Sequence, residues 1–206
     1  MSDRPGVEPP GPWLQPLPTE ETLSNGVRLL RMHLPGQQVI SARLMVPVTL
    51  ADEERVHEGV SVMMARLLDE GAGDLDAEAF AAALERHGAA LGASAVEGGL
   101  SVDLDVPVRH LSGALRLMAD AVGRPTFPEE EVRRVLRNRL AEIDYETASA
   151  PHRAGRELIA TLWDPASRAA RPAAGTPSTI GALTRSAIVE RHAALAAAGG
   201  ALVIAG

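Results

Sequence analysis

Apolar residues recur along this chain at two periods, and the switches between them divide it into elements. The stretch ETLSNGVRLLRMHLP predicts a short strand, an Asn25-Gly26 hairpin turn and a second strand from Val27 to Leu34, because Asn-Gly accommodates the positive φ angles of a tight turn. Residues 37–48, QQVISARLMVPV, predict a third strand. Three adjacent strands would then open an antiparallel sheet.

Helical spacing takes over from Gly59 to Glu70 and is closed by Gly71. Asp76 is placed to cap a second helix, AEAFAAALERHG, which Gly88 ends. The pattern returns to strand through AALGASAVEGGLSVDLDVP, with a turn at Gly98-Gly99 and alternation at Leu100, Val102, Leu104 and Val106. Val108–Val122 is helical, with Leu111, Leu115 and Met118 on one stripe. Pro128 suits the first turn of a long helix reaching Glu146, and Glu129, Glu130 and Glu131 lie where the helix dipole favours anions. Pro151–Trp163 gives a further helix, a Pro/Ala/Gly loop follows, and Thr184 caps a helix to about Ala198. The chain closes on GGALVIAG. A strand as apolar as Ala201–Ala205 belongs at a sheet centre and leads onward, which reads as half of a longer chain.

Composition narrows the class. The 206 residues are 46% hydrophobic but only 2% aromatic, so the core must be built from Ala, Leu and Val, and a base-stacking surface is disfavoured. A net charge of −7 disfavours nucleic acid or an anionic membrane as main partner. No Cys is present, which excludes disulfides and thiolate chemistry. No 18-residue apolar run occurs, so a cytoplasmic location is the default reading. Residues 1–19 hold six of the 15 prolines and read as an extended lead-in, with one domain over residues 20–206.

Ordered phrases along the chain carry a resemblance. They are LSNGV at Leu23–Val27, Gly59 before the first helix, ALERHGAALGASA (83–95), Phe127-Pro128-Glu129-Glu130, GTPSTIGALT (175–184) and the closing ALVIAG. In this order they resemble the N-terminal half of pitrilysin/insulinase-type peptidases, the inverzincins that include mitochondrial processing peptidase. The resemblance implies an α+β fold with a mixed, mostly antiparallel sheet covered by helices on one face.

Active members of that family carry H-x-x-E-H on the first helix, where two histidines bind zinc from one face and the Glu activates water. The resemblance puts those positions at Val62, Ala65 and Arg66, none of which can perform them. The third ligand of the family, a Glu on a later helix, falls on Glu142, 76 residues beyond Arg66. A second acidic position seven residues earlier falls on Val135. Arg66 cannot bind zinc, since a guanidinium stays protonated and has no free lone pair. If the family geometry holds, Arg66 faces Glu142, and the two are expected to form an ion pair where metal would sit; the alternative is that each points to water as an ordinary exposed charge.

Other chemistry finds little support. His33, His57, His87, His110, His152 and His192 include no two that share a helical turn, leaving only a site assembled from distant histidines. Ser61, Ser94, Ser101, Ser149 and Ser178 lack a G-x-S-x-G setting, and Gly71-Ala72-Gly73 follows a helix instead of leading into one. Asp52-Glu53-Glu54 reads as a solvated loop and Met63-Met64 as core.

The resemblance therefore implies a noncatalytic homologue with no metal and no cofactor, paired with a zinc-bearing homologous subunit and holding a peptide substrate. Relatives bind the peptide as an added strand, and the corresponding segment here is Leu91, Gly92, Ala93, Ser94, Ala95 and Val96, with Gly92 where the family usually has Asn. The alternatives are a purely structural scaffold of the same descent, or an active peptidase whose motif lies outside this chain.

Overall fold

The computed structural model describes residue 11, residue 14 and residues 16–206. Most of the proline-rich lead-in assigned to residues 1–19 lies outside the described residues. Six strands form one mixed sheet: β1 (Thr19–Thr22), β2 (Arg28–Met32), β3 (Val39–Val46), β4 (Ala90–Val96), β5 (Gly99–Pro107) and β6 (Ala201–Ala205). Their spatial order is β1-β2-β6-β3-β5-β4.

The first hairpin forms as the sequence predicts: Gly26 takes a φ of 83°, and the Asn25 side chain accepts from the Val27 amide at 3.2 Å. The three opening strands are not adjacent, however. β6 inserts between β2 and β3, parallel to the first and antiparallel to the second. The reason is visible in its composition: five apolar residues without a polar face suit a position paired on both edges, and only the centre of a sheet supplies that.

Along β3 and β5 the side chains alternate cleanly. Ile40, Ala42, Val46, Leu100, Val102, Leu104 and Val106 are buried and join the helices in one core. The opposite face carries Ser41 bonded to Asp105 and Arg43 paired with Asp103. This pattern of one packed and one polar face is what antiparallel pairing allows.

Seven helices are described: α1 (Val60–Ala65), α2 (Ala77–His87), α3 (Leu111–Gly123), α4 (Glu129–Ala148), α5 (Ala150–Leu162), α6 (Pro177–Ala182) and α7 (Arg185–Ala193). α2 has the cap its sequence announces, with Asp76 accepting from the Ala79 amide at 2.8 Å and Gly88 in the left-handed region. α1 is shorter than its apolar spacing suggests. Beyond Arg66 the amides of Leu67 and Leu68 bond three residues back, so the chain continues to Glu70 as tighter turns that still bury both leucines. On α3 the buried stripe runs through Ala114, Leu117, Met118 and Ala121, while Leu111 and Leu115 are only partly covered.

The Pro/Ala/Gly loop contains a helix the sequence reading missed. Thr176 caps α6 and Pro177 occupies its first turn. Helix α7 ends at Ala193 and passes into a 3₁₀ turn, Ala194–Ala197. No helix among the described residues is long and apolar enough to cross a membrane.

Candidate functional site

The first motif helix is held in place by buried polar contacts around its start. Its N-terminal Gly59 has φ of 99°, and a Cβ there would meet the Gly175 amide at 2.9 Å. Gly175 mirrors it, since a Cβ on that residue would meet the Glu58 carbonyl at 2.6 Å. Two glycines thus allow segments 58–59 and 174–175 to cross at backbone contact.

The cap of α1 comes from a distance. Glu53, whose side chain is 0% exposed, accepts from the Ser61 amide at 2.9 Å and the Gly59 amide at 3.2 Å, and receives Arg168 at 2.9 Å. The acidic run at 52–54 is therefore not simply a solvated loop: its middle carboxylate satisfies orphan amides of the helix. Beside it, buried Glu58 accepts from Arg171 at 2.7 Å. Arg191 donates to the Ser61 hydroxyl at 2.8 Å and to the Thr49 carbonyl, tying α7 to the same turn, and burial lowers the Arg191 pKa. Ser61 is thus a buried structural hydroxyl.

On this fixed helix Val62 is half-buried against the core, Ala65 is 2% exposed, and Arg66 reaches outward. Met63 and Met64 are core residues, as the sequence reading has them. The Nη1 atom of Arg66 donates to both carboxylate oxygens of Glu142 on α4, at 2.8 and 3.0 Å.

Glu142 has a second cation. Arg139, one turn earlier on α4, donates to it at 3.0 Å, to Glu146 at 2.6 and 3.1 Å, and through Nε to the Ala174 carbonyl at 3.1 Å. Arg139 is 4% exposed. The hydrogen bond from Arg66 is the largest influence holding the Glu142 carboxyl below its ordinary pKa, with Arg139 adding to it. The hydrogen bond from Arg139 likewise lowers Glu146. Burial opposes the charge on Arg139, but its bonds to Glu146 and Glu142 outweigh that and raise its pKa.

The sequence reading identified Arg66 and Glu142 but not Arg139 or Glu146. Their signal was present: Arg139, Glu142 and Glu146 are spaced to share one helical face. Val135, at the family's second acidic position, is 5% exposed and part of the core.

Zinc does not fit this arrangement. Val62 and Ala65 offer no donor atom, Arg66 has no lone pair, and both Glu142 oxygens already accept from guanidinium groups. Water activation has no base at Ala65. The histidines lie apart in the fold: His57 beside Glu54 at 3.6 Å, His152 on Ser149 at 2.9 Å, and His192 on the Val122 carbonyl at 2.7 Å. Among the described residues only His87 and His110 come near each other, with ring centres 5.5 Å apart and planes tilted by 56°.

The strand proposed from sequence for peptide contact, Leu91–Val96, lies in β4 at the end of the sheet, so one of its backbone edges has no strand partner among the described residues. Leu91, Ala93 and Ala95 point to the core, while Gly92, Ser94 and Val96 are exposed. α1 packs directly against this strand. The edge strand and the Arg66–Glu142 pair thus flank the same helix.

The described fold has clear relatives. It superposes on a peptidase M16 inactive domain from Pseudomonas fluorescens with a TM-score of 0.84 at 23% identity, covering 92% of this chain and 46% of that one. A protease from Helicobacter pylori gives 0.83 at 19% identity with the same two coverages. Pitrilysin gives 0.77 at 22% identity, covering 92% of this chain and 21% of that one. The chain therefore spans less than half the length of each. No curated protein sequence matches it. The model of the family described as Insulinase (Peptidase family M16) matches residues 28–171, and the chain belongs to that family.

Proposed function

We propose that this chain is a noncatalytic M16 subunit that pairs with a zinc-bearing homologue, closes the chamber around a peptide and helps to hold it. One observation carries the reading: at the positions the resemblance aligns with the family's metal site, Arg66, Glu142, Arg139 and Glu146 form an ion-pair network, within a fold shared with M16 structures. The likeness to an inactive M16 domain supports it further.

The chain's own contribution would be enclosure and positioning. A peptide extended along the unpaired edge of β4 gains main-chain hydrogen bonds without any catalytic group. Held there, it meets the partner's reacting water in a fixed orientation and a drier site. Gly92 sits at that edge with open space where a side chain would be.

The test is peptidase activity on unstructured peptides, with zinc content, for the chain alone and mixed with a homologue from the same genome that carries H-x-x-E-H. Turnover only in the mixture, lost when the partner's motif Glu is changed to Gln, is the expected result. Zinc binding and turnover by the isolated chain would overturn the reading.

A further inference from the structure

The chain carries two asparagines, Asn25 and Asn138, both exposed. Their backbones differ in a way that decides the reactivity of an amide side chain. Asn25 precedes Gly26 in the turn between β1 and β2, and its Oδ1 accepts from the Val27 amide at 3.2 Å. That bond folds the side chain back over the intervening Gly26 nitrogen. Gly26 has no Cβ, nothing lies within 4 Å of where one would be, and Ser24, Asn25 and Gly26 are all exposed. The Gly26 nitrogen can therefore approach the Asn25 Cγ without meeting a side chain, in a turn that water reaches. One bond restrains it, from the Gly26 amide to the Leu23 carbonyl at 2.9 Å. The restraint sits in weak structure: all four residues of β1 are exposed, and the strand pairs with β2 alone at the end of the sheet. Opening such a turn costs little beside opening the core. Asn138 lies inside α4, where the next amide, that of Arg139, is engaged in the helix ladder and carries a full side chain.

We infer that Asn25-Gly26 is a site of spontaneous covalent modification, deamidating to aspartyl and isoaspartyl linkages with water as the only co-reactant. The Gly26 nitrogen attacks the Asn25 Cγ. The side-chain nitrogen leaves as ammonia, taking the Gly26 amide proton with it, and a succinimide ring closes. Water then adds to either ring carbonyl and opens the ring, and no electrons are exchanged with any other group. One opening gives an ordinary linkage with an Asp side chain, the other a backbone routed through the former side-chain carbonyl. In the aspartyl product the Val27 amide keeps its acceptor and the turn gains a negative charge. In the isoaspartyl product the main chain is longer by one methylene, which breaks the match between the Leu23 amide and the Val27 carbonyl that bond at 2.8 Å. Turn length fixes hairpin register, so β1 then loses its pairing, while β2 stays held by β6.

The experiment incubates the folded chain in mildly alkaline buffer and follows both asparagines by mass spectrometry of proteolytic fragments. Isoaspartate is counted by enzymatic methyl transfer to its free carboxylate. A sample unfolded in guanidinium chloride gives the rate without the turn. The expected result is conversion of Asn25 in the folded chain severalfold faster than that of Asn138, with methyl acceptance confined to the fragment that holds Asn25. Asn25→Gln, whose longer side chain cannot close the same ring, should abolish it. Asn25 that stays intact in the folded chain while the unfolded chain converts would mean that the Leu23 bond locks the turn, and would overturn the inference. Equal conversion of Asn25 and Asn138 in the folded chain would overturn it too, because no site is then selected. Limited proteolysis of the converted chain should cut faster within residues 19–27, and a cleavage pattern identical to that of the unconverted chain would overturn the release of β1.

Discussion

The Nη1 atom of Arg66 stands 2.8 and 3.0 Å from the two carboxylate oxygens of Glu142, a residue 76 positions further along the chain. A fixed positive charge thus stands against the carboxylate that the family resemblance aligns with a metal ligand. Both side chains are more than one-third exposed, so solvent screening makes the pair worth little as a stabilising contact. Its effect is to compensate the charge of the Glu142 carboxylate.

The first prediction concerns acid. Glu142 and Glu146 bind protons less readily in the folded chain than in the unfolded one, because both carboxyls are lowered from an ordinary value of 4.5. Their contribution is complete above that pH and is lost as pH falls through the depressed folded values. Arg66→Met should cost less than about 1 kcal/mol at neutral pH. It should also flatten the dependence of urea stability on pH below about 4.5. Curves for the variant and the parent that run parallel through this range would contradict the assignment.

Arg139 should behave differently, although it shares the same carboxylate. Its side chain is 5% exposed and it satisfies Glu142, Glu146 and the Ala174 carbonyl together. Arg139→Met should destabilise the chain by about 2–3 kcal/mol, less than the roughly 3–5 kcal/mol of breaking a fully buried pair, because the partner carboxylates still reach water. Urea unfolding at neutral pH measures this, and a loss no larger than that of Arg66→Met would mean that the network does not depend on its buried member.

How much of this was legible beforehand depends on how local each signal is. The caps at Asp76 and Thr184 and the turn at Asn25-Gly26 are decided within a few residues, and the structure forms them as read. Arg66 and Glu142 could be placed opposite each other only through the family's spacing, since nothing local links two charges on separate helices. The insertion of β6 between β2 and β3 is a choice among distant strands, and alternation within a strand does not encode its neighbours. Glu53 looks like any surface acid in sequence. It is buried because two amides and Arg168, 115 positions away, converge on it.

The proposed reading makes a metal site at these positions engineerable. Val62 and Arg66 are four residues apart on α1, a spacing that places two imidazoles on one face. Val62→His/Arg66→His removes one of the two cations on Glu142, leaving Arg139 on Oε2 and freeing Oε1, and supplies two nitrogen donors beside its carboxylate. The double variant should bind one zinc per chain, measured by calorimetry and metal analysis. It should remain inactive on peptides, because Ala65 still provides no base. Failure to bind zinc in a folded double variant would show that α1 and α4 no longer hold the spacing of a metal site.

The last prediction separates charge from hydrogen bonding at the start of α1. Glu53 caps the Gly59 and Ser61 amides and pairs with Arg168, whose Nε already lacks a partner. Glu53→Ala would leave two helix amides without their acceptor and the buried Arg168, which keeps only the Arg171 and Ala173 carbonyls, without its counter-ion, and should cost about 3–5 kcal/mol. Glu53→Gln keeps one neutral acceptor oxygen, for either the Ser61 amide or the Gly59 amide and Arg168, and should cost less than Glu53→Ala only by the weaker, uncharged bonds it retains. Thermal and urea denaturation give the two losses. Equal losses would mean that the ionic attraction of Arg168 dominates over the cap, whereas a near-neutral Glu53→Ala would mean that α1 is positioned by the crossing of Gly59 and Gly175 alone.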